Sequence, residues 1–485
     1  MVEDKEWETV DNYHLIPSAI ASAEGLEDKD RETVNTLFQL YQEKLTRNLL
    51  RDRYYEMKEK PYDLGISVPP HLRDLEQVVG WCAKAVDSLA NRSQFDGFVC
   101  EDDKLLNDLQ LISRRNNLNR KYRKAVRSEL KHACSFITVT SSAKGEPRIN
   151  VYPATASSAL WSDYLERISA GMVVVDRDNT VSGRNKPIWI DVFTDEAIIE
   201  IKYIGGRWIA KYNPHSMGRC LMEVLVHNAT LERPLGTSRI TRAVMNICDS
   251  AMRASVRSEI SAEFFTSPQK YLLGADKEAL GNQSKWDAYI GNIFAVAKDK
   301  TGSIPQFGQL SQGTMQPHVE YMRSLAARFS GETNVPINEL GIVQDNPSSA
   351  EAIYAGKEPL VIDAQNLNAD NSEALTRIAQ MALAVKHETT FEAIEEQTAT
   401  LQTKFKNPAF PSPISQSQRV QVGCQCFEWY SKTDVALEEF GFDDGQIQRM
   451  RPVRQKAEAQ AIATARFNEL TKANDNGNAV ASQSV

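Results

Sequence analysis

The sequence runs to 485 residues, 42% of them hydrophobic and 25% charged, with a formal net charge of −8. That length exceeds what one hydrophobic core usually serves, so at least two domains are expected in a chain of ordinary soluble composition, made and folded in a cytoplasm. No run of about 18 apolar residues marks a membrane-spanning helix, the start Met1-Val2-Glu3-Asp4-Lys5-Glu6 lacks the basic and apolar parts of a secretory signal, and the acidic balance argues against broad neutralisation of phosphates.

The first thirty residues are acidic and weakly patterned, and an N-terminal arm is expected over 1–30. A helix is predicted from Val34, because Leu37, Tyr41, Leu45 and Leu49 recur every four residues with Glu43, Lys44 and Arg51 between them. Pro61, Pro69 and Pro70 end it. Helical patterns return across Leu75–Leu89 and Leu105–Lys131. The second is basic through Arg114, Arg115, Arg120, Lys121, Arg123, Lys124 and Arg127, chiefly a solvated face and only secondarily a docking or DNA-facing patch.

Between about 134 and 226 the period falls to two. Phe136–Thr140 and Arg148–Tyr152 flank the turn Lys144-Gly145-Glu146-Pro147, and Ile188–Phe193, Ala197–Tyr203 and Arg207–Tyr212 follow. Gly205-Gly206 signals a tight hairpin between the last two. An antiparallel meander of about six strands is expected, with no alternating βαβ layout and so no dinucleotide-binding site.

A long helix is predicted from about Ser238 to Phe264, with Ile240, Val244, Ile247 and Ala251 on one face. At about 100° per residue, Arg239, Arg242, Arg253 and Arg257 fall within roughly a 60° sector on the other. Residues 266–314 are rich in glycine and read as a compact insertion. Pro317 then opens a helix carrying His318, Tyr321, Met322, Leu325, Ala326 and Phe329 on one stripe before Gly331.

The loop Val343-Gln344-Asp345-Asn346-Pro347 precedes a capping box, Ser348 with Glu351, and another long helix that Gly356 and Pro359 should bend. Pro408–Pro413 is a proline-punctuated linker. A C-terminal helical unit is expected to about Lys472, with a disordered tail over 473–485.

The usual catalytic devices are missing from the sequence. It holds no phosphate-binding G-x-x-x-x-G-K-[ST] loop, no H-E-x-x-H and no G-x-S-x-G elbow. The seven cysteines, Cys82, Cys100, Cys134, Cys220, Cys248, Cys424 and Cys426, are scattered and odd in number, which suits reduced thiols. Cys424-Gln425-Cys426 lacks the second ligand pair of a zinc site. No catalytic residue, metal or cofactor is expected, and the chain reads as a non-enzyme.

From Tyr321 to Glu351 the chain resembles the portal proteins of tailed double-stranded DNA phages, the long-tailed phage family. A helix with Leu325-Ala326-Ala327-Arg328-Phe329 leads through Thr333-Asn334-Val335-Pro336 and Leu340-Gly341-Ile342 to Asp345-Asn346-Pro347-Ser348-Ser349-Ala350-Glu351-Ala352-Ile353. The helix before the glycine-rich insertion and Leu437-Glu438-Glu439-Phe440-Gly441-Phe442 share the likeness; the N-terminal arm does not.

The resemblance implies a mainly helical α+β portal fold and a dodecameric ring at one vertex of the virion capsid, through which the genome enters and leaves. Residues 31–235 would be the wing, with its antiparallel sheet, 236–265 a first stem helix, 266–314 the clip and 315–342 the second stem helix and connector. Val343, Gln344, Asp345, Asn346, Pro347, Ser348 and Ser349 would form the tunnel loop, 350–407 the bent wing helix and 408–472 linker and crown. Arg239, Arg242, Arg253 and Arg257 would face the channel or a neighbouring subunit. Trp286, Tyr289, Phe294 and Lys298 in the clip would dock partners.

The partners implied are the terminase large subunit, the head-tail adaptor, the major capsid protein and scaffold, and double-stranded DNA in transit; no membrane is implied. The physics of transit agrees: Gln344-Asp345-Asn346 offers a polyanion no Lys or Arg to bind, which suits sliding. The competing readings are another phage capsid structural protein or a DNA-processing enzyme such as a metal-dependent nuclease, which would need a carboxylate cluster.

Overall fold

In the computed structural model, residues 17–60, 77–142, 144–180, 185–266, 270–273, 306–309, 313–342, 355–409 and 413–481 are described. The chain divides into two units, Met1–Pro408 and Ala409–Val485. The division falls at the proline-punctuated segment.

The first unit has two cores. One lies between a short helix α1 (Pro17–Ala21), a long helix α2 (Asp28–Tyr55) and a five-stranded sheet. Helix α2 buries Val34, Leu37, Phe38, Tyr41 and Leu45, the i, i+3, i+4, i+7 stripe of an amphipathic helix. It begins at Asp28 and not at Val34, because Asp28 and Asp30 in its first turn suit the positive helix end without adding to the apolar pattern.

The arm expected over 1–30 is also shorter than the sequence suggests. Ile20, Ala23 and Leu26 are buried, and Glu24 pairs with the edge of the sheet through Glu24 N–H to Trp208 O (2.9 Å) and Ala210 N–H to Glu24 O (2.8 Å). An uncovered strand edge leaves backbone donors and acceptors without partners, and this segment supplies them. Gly25, at φ 86°, passes so close that a Cβ would lie 2.8 Å from Ala210 O.

The period-two region forms eight strands rather than about six, and two sheets rather than one. Strands β2 (Cys134–Ser141), β3 (Pro147–Pro153) and β9 (Met222–Val226) make a sheet of order β3-β2-β9, all antiparallel. Strands β4 (Ser157–Ser162), β5 (Arg167–Asp178), β6 (Lys186–Phe193), β7 (Ala197–Ile204) and β8 (Arg207–Pro214) make an antiparallel meander. Ile204 pairs with Arg207 across Gly205 and Gly206, whose φ values of 59° and 86° fit the two-residue hairpin expected. Alternation places Ala170, Met172, Val174, Ile190, Val192, Ile199 and Ile201 against α1 and α2.

On the opposite face Asp191 sits across from Glu200. Burial, with the neighbouring carboxylate adding, pushes its carboxyl up to about 6, although Trp189 Nε1 donates to it at 2.7 Å. The folded state therefore holds this proton more tightly than the unfolded chain. Its contribution is full below the unfolded value of about 4 and is lost as pH rises through about 6. Asp191→Asn, which keeps an acceptor for Trp189, is expected to stabilise the protein by about 1–2 kcal/mol at pH 8 and by nothing at pH 4. Thermal melts of both proteins across that range check this; a gain independent of pH would refute it.

The second core joins the three-stranded sheet to helices α3 (Trp81–Ala90), α4 (Asp103–Asn116), α5 (Leu118–His132), α6 (Arg242–Thr266), α7 (Gln316–Thr333), α8 (Glu358–His387) and α9 (Phe391–Gln397). The basic helix expected as one piece is two. Asn117 takes the left-handed conformation (φ 52°), open to Asn at little cost, and breaks it. Of its cations, Arg115 pairs with Glu146 (2.6 Å) and Arg127 with Asp87 (2.9 Å), while Arg114, Arg120, Arg123 and Lys124 are exposed. Strand β1 (Phe95–Val99) pairs antiparallel with β12 (Gln402–Phe405), closing the unit near its C-terminal end.

The second unit is helical, with α10 (Pro413–Cys426), α11 (Asp434–Phe440) and α12 (Asp444–Ala481). Thr433 caps α11 by accepting from Ala436 N–H (3.3 Å), and Gly441 at φ 109° ends it. Arg451 and Arg454 of α12 both reach Asp434 (2.8 and 2.9 Å). The helix continues to Ala481, past the end expected at Lys472 and through the stretch expected to be a disordered tail.

Candidate functional site

Helices α6 and α7 pack against each other, and the residues between them are bracketed by a two-stranded ribbon, β10 (Lys270–Leu273) with β11 (Gln306–Gln309). At the far end of the pair, Phe265 occupies the space a side chain on Gly313 would need: a Cβ there would lie 2.3 Å from the ring. The sequence therefore builds a helical hairpin whose insertion is pinched at its base. Trp286, Tyr289, Phe294 and Lys298, expected as docking residues, lie outside the described residues, as do Val343, Gln344, Asp345, Asn346, Pro347, Ser348 and Ser349.

Helix α6 starts at Arg242 rather than Ser238. Thr241 Oγ1 accepts from Val244 N–H (3.2 Å) and so acts as the cap. The apolar face is as read: Ile240, Val244, Ile247 and Ala251 are all buried. The arginine stripe is not continuous. Arg242 is exposed and Arg253 and Arg257 are half-buried, Arg253 donating to Ser250 Oγ at 3.2 Å.

Arg239 differs from all three and corrects the expectation that it faces the channel or another subunit. It precedes the helix, so helical spacing does not govern it, and it is only 8% exposed. Its guanidinium donates to Ala85 O of α3 (2.8 Å), to Thr333 O at the end of α7, and to Asp363 Oδ2 of α8 (3.3 Å). Its backbone N–H reaches Leu130 O of α5 (2.9 Å). Burial pulls the guanidinium below its ordinary value and Asp363 opposes that.

Thr333, Asn334 and Asp363 complete this junction. Thr333 is buried and donates through Oγ1 to Phe329 O (2.7 Å); Asn334, left-handed at φ 55°, ends α7. Asn334 Nδ2 donates to both oxygens of Asp363 (3.2 and 3.1 Å). Sequence reading overlooked Asp363. The one signal was a carboxylate two turns into a helix that follows an Asn-terminated one, which is too common to single out.

Helix α7 begins as expected, with Pro317 in its first turn, and runs through Gly331 to Thr333. Its stripe buries Leu325, Ala326 and Phe329, but Val319 and Tyr321 remain 44% and 48% exposed within one subunit. Pro359 lies in the first turn of α8, where a missing N–H costs nothing; Ala355 is helical, a turn follows at Gly356 and Lys357, and α8 starts at Glu358, while the expected start of the bent helix, 348–354, lies outside the described residues.

Among the described residues no three His, Cys, Asp or Glu side chains gather as a metal site, and no helix is long and apolar enough to cross a membrane. The seven cysteines are free thiols. Contact with Cys248 and burial push the Cys82 thiol up, and burial, with the Glu129 carboxylate adding, pushes Cys134 up to about 12, so neither is an activated nucleophile.

Residues 35–422 match the family described as phage portal protein, SPP1 Gp6-like. The chain is 25% identical over 417 residues to the portal protein of Mycobacterium phage L5, covering 82% of this chain and 79% of that one. It is 23% identical over 410 residues to the portal protein of Mycobacterium phage D29, covering 82% and 80%. Among solved structures, a chain in the neck of an empty gene transfer agent particle is similar at 14% identity and a TM-score of 0.46, over 84% of this chain and 94% of that one.

Proposed function

The chain belongs to the SPP1 Gp6-like family of phage portal proteins, and from that premise we propose that copies of it form a dodecameric ring at one capsid vertex through which double-stranded DNA passes. One observation carries the assignment of parts: two packed helices, α6 and α7, bracket an insertion tied at its base by a β-ribbon. That arrangement suits a stem pair carrying a clip.

In this reading α6 and α7 are the stem and 266–314 the clip, docking first a terminase large subunit and later a head-tail adaptor. The two sheets with α1–α5 and α8 form the wing, which meets the major capsid protein and scaffold. Residues 343–349 are the tunnel loop and the helices from Pro413 the crown. Tyr321 and Val319 are half-exposed on a stem helix, which supports their being covered by a neighbouring copy in this reading. Arg242, Arg253 and Arg257 would meet its carboxylates.

The purified protein is therefore expected to give particles of about a dozen subunits by light scattering after size exclusion, consistent with closed cyclic symmetry. Negative-stain images should show rings with a central hole. Compact monomers at high concentration, unchanged by added scaffold and capsid protein, would refute the assignment.

A further inference from the structure

We infer that Arg239 and Asp363 are positioning residues for the channel: within each subunit they fix the direction in which α6 and α7 leave the helices around them. The inference rests on the reading of α6 and α7 as the stem. Arg239 stands just ahead of the cap of α6, and one nitrogen of its guanidinium donates to the carbonyl of Thr333, the last residue of α7. Both feet of the helical hairpin are thereby bound to one planar group.

That group is in turn held from outside the hairpin. Ala85 O belongs to α3, Asp363 to α8 and Leu130 O, bound by the Arg239 backbone, to α5. Asn334, the residue that ends α7, grips the same Asp363. A tilt of the hairpin against α3, α5 and α8 would break these bonds together. Such a tilt would also leave a buried cation without its partner, a costly state.

The chemistry requires arginine. Three acceptors lie in different directions around the guanidinium, and its donors form a rigid planar fork that can address all of them. A lysine ammonium on a flexible stem would satisfy one or two. Thr333 O is one of the carbonyls that a helix end leaves without an internal partner, so the contact also completes α7. An arginine kept only for solubility would be exposed, and one kept only for the apolar core would be replaceable by methionine.

The test uses the full-length protein in intact rings and in phage particles assembled with it. Arg239→Lys is expected to leave ring formation unchanged by negative stain. Hydrogen exchange in peptides spanning 330–342 should rise at least tenfold and DNA packaged per particle should fall at least tenfold. Asp363→Asn should do the same. Rings of Arg239→Lys with wild-type exchange and wild-type packaging would overturn the inference, and so would a lowered melting temperature with packaging per ring unchanged. If both variants fail to fold, Asn334→Gly decides. It removes the hydrogen bonds of an exposed side chain and keeps the left-handed helix end accessible, and it should cut packaging about threefold in well-formed rings; no change would overturn the inference. A wild-type protein that forms no rings even with scaffold and capsid protein added would instead sink the stem reading, which separates the two failures.

Discussion

A chain shortened by deleting Asp345–Pro347 is expected to assemble rings indistinguishable in mass from the full-length protein, while particles built with it hold at least a hundredfold less DNA. The expectation follows from what this stretch offers a polyanion. Gln344-Asp345-Asn346 carries one carboxylate and two amides and no cation, so it can line a path for DNA without adding the affinity that each neutralised phosphate brings through counterion release. Ring assembly should be spared because, among the described residues, the buried clusters are already built from elements on either side of this stretch. The measurement is the DNA content of purified particles alongside negative-stain images of the rings. Full packaging by the shortened chain would remove 343–349 from the channel and leave the family membership standing.

Much of the fold was legible because it rests on local chemistry. Gly205-Gly206 specifies a two-residue hairpin through its positive φ values, and the structure has one there. Pro317 marks the start of α7 and the stripe Leu325, Ala326, Phe329 its buried face. What was not legible depends on partners remote in sequence. A period of two says that a segment is a strand but not which sheet receives it, so one expected meander proved to be two sheets, with β9 returning to pair with β2. The burial of Ile20, Ala23 and Leu26 could not be read from a short, weakly patterned stretch, because its reason is the open edge of β8 some two hundred residues later. Arg239 shows the same limit at the candidate site. Helical spacing grouped it with Arg242, Arg253 and Arg257, and only the cap at Thr241 separates it from the helix and turns it inward.

The other large effect is expected at Phe329. Its side chain is fully buried on α7 and its ring lies 5.4 Å from that of Trp81 on α3, the planes tilted by 45°. Truncation removes a large apolar group from a close-packed site and leaves a cavity that fixed helices on several sides cannot fill. Phe329→Ala should therefore cost about 3–5 kcal/mol, with the lost ring contact part of that sum. Spread over the large enthalpy and entropy of a unit this size, the melting temperature should fall by only about 4–8 °C. Phe329→Leu, which keeps most of the volume, should cost about 1–1.5 kcal/mol. The pair of variants separates packing from position. Phe329 anchors α7 to α3 by volume and Arg239 by direction, so Phe329→Leu rings should package DNA normally despite their lower stability. If packaging falls in proportion to melting temperature across Phe329→Leu, Phe329→Ala and Arg239→Lys alike, stability alone governs the channel and the junction has no separate role.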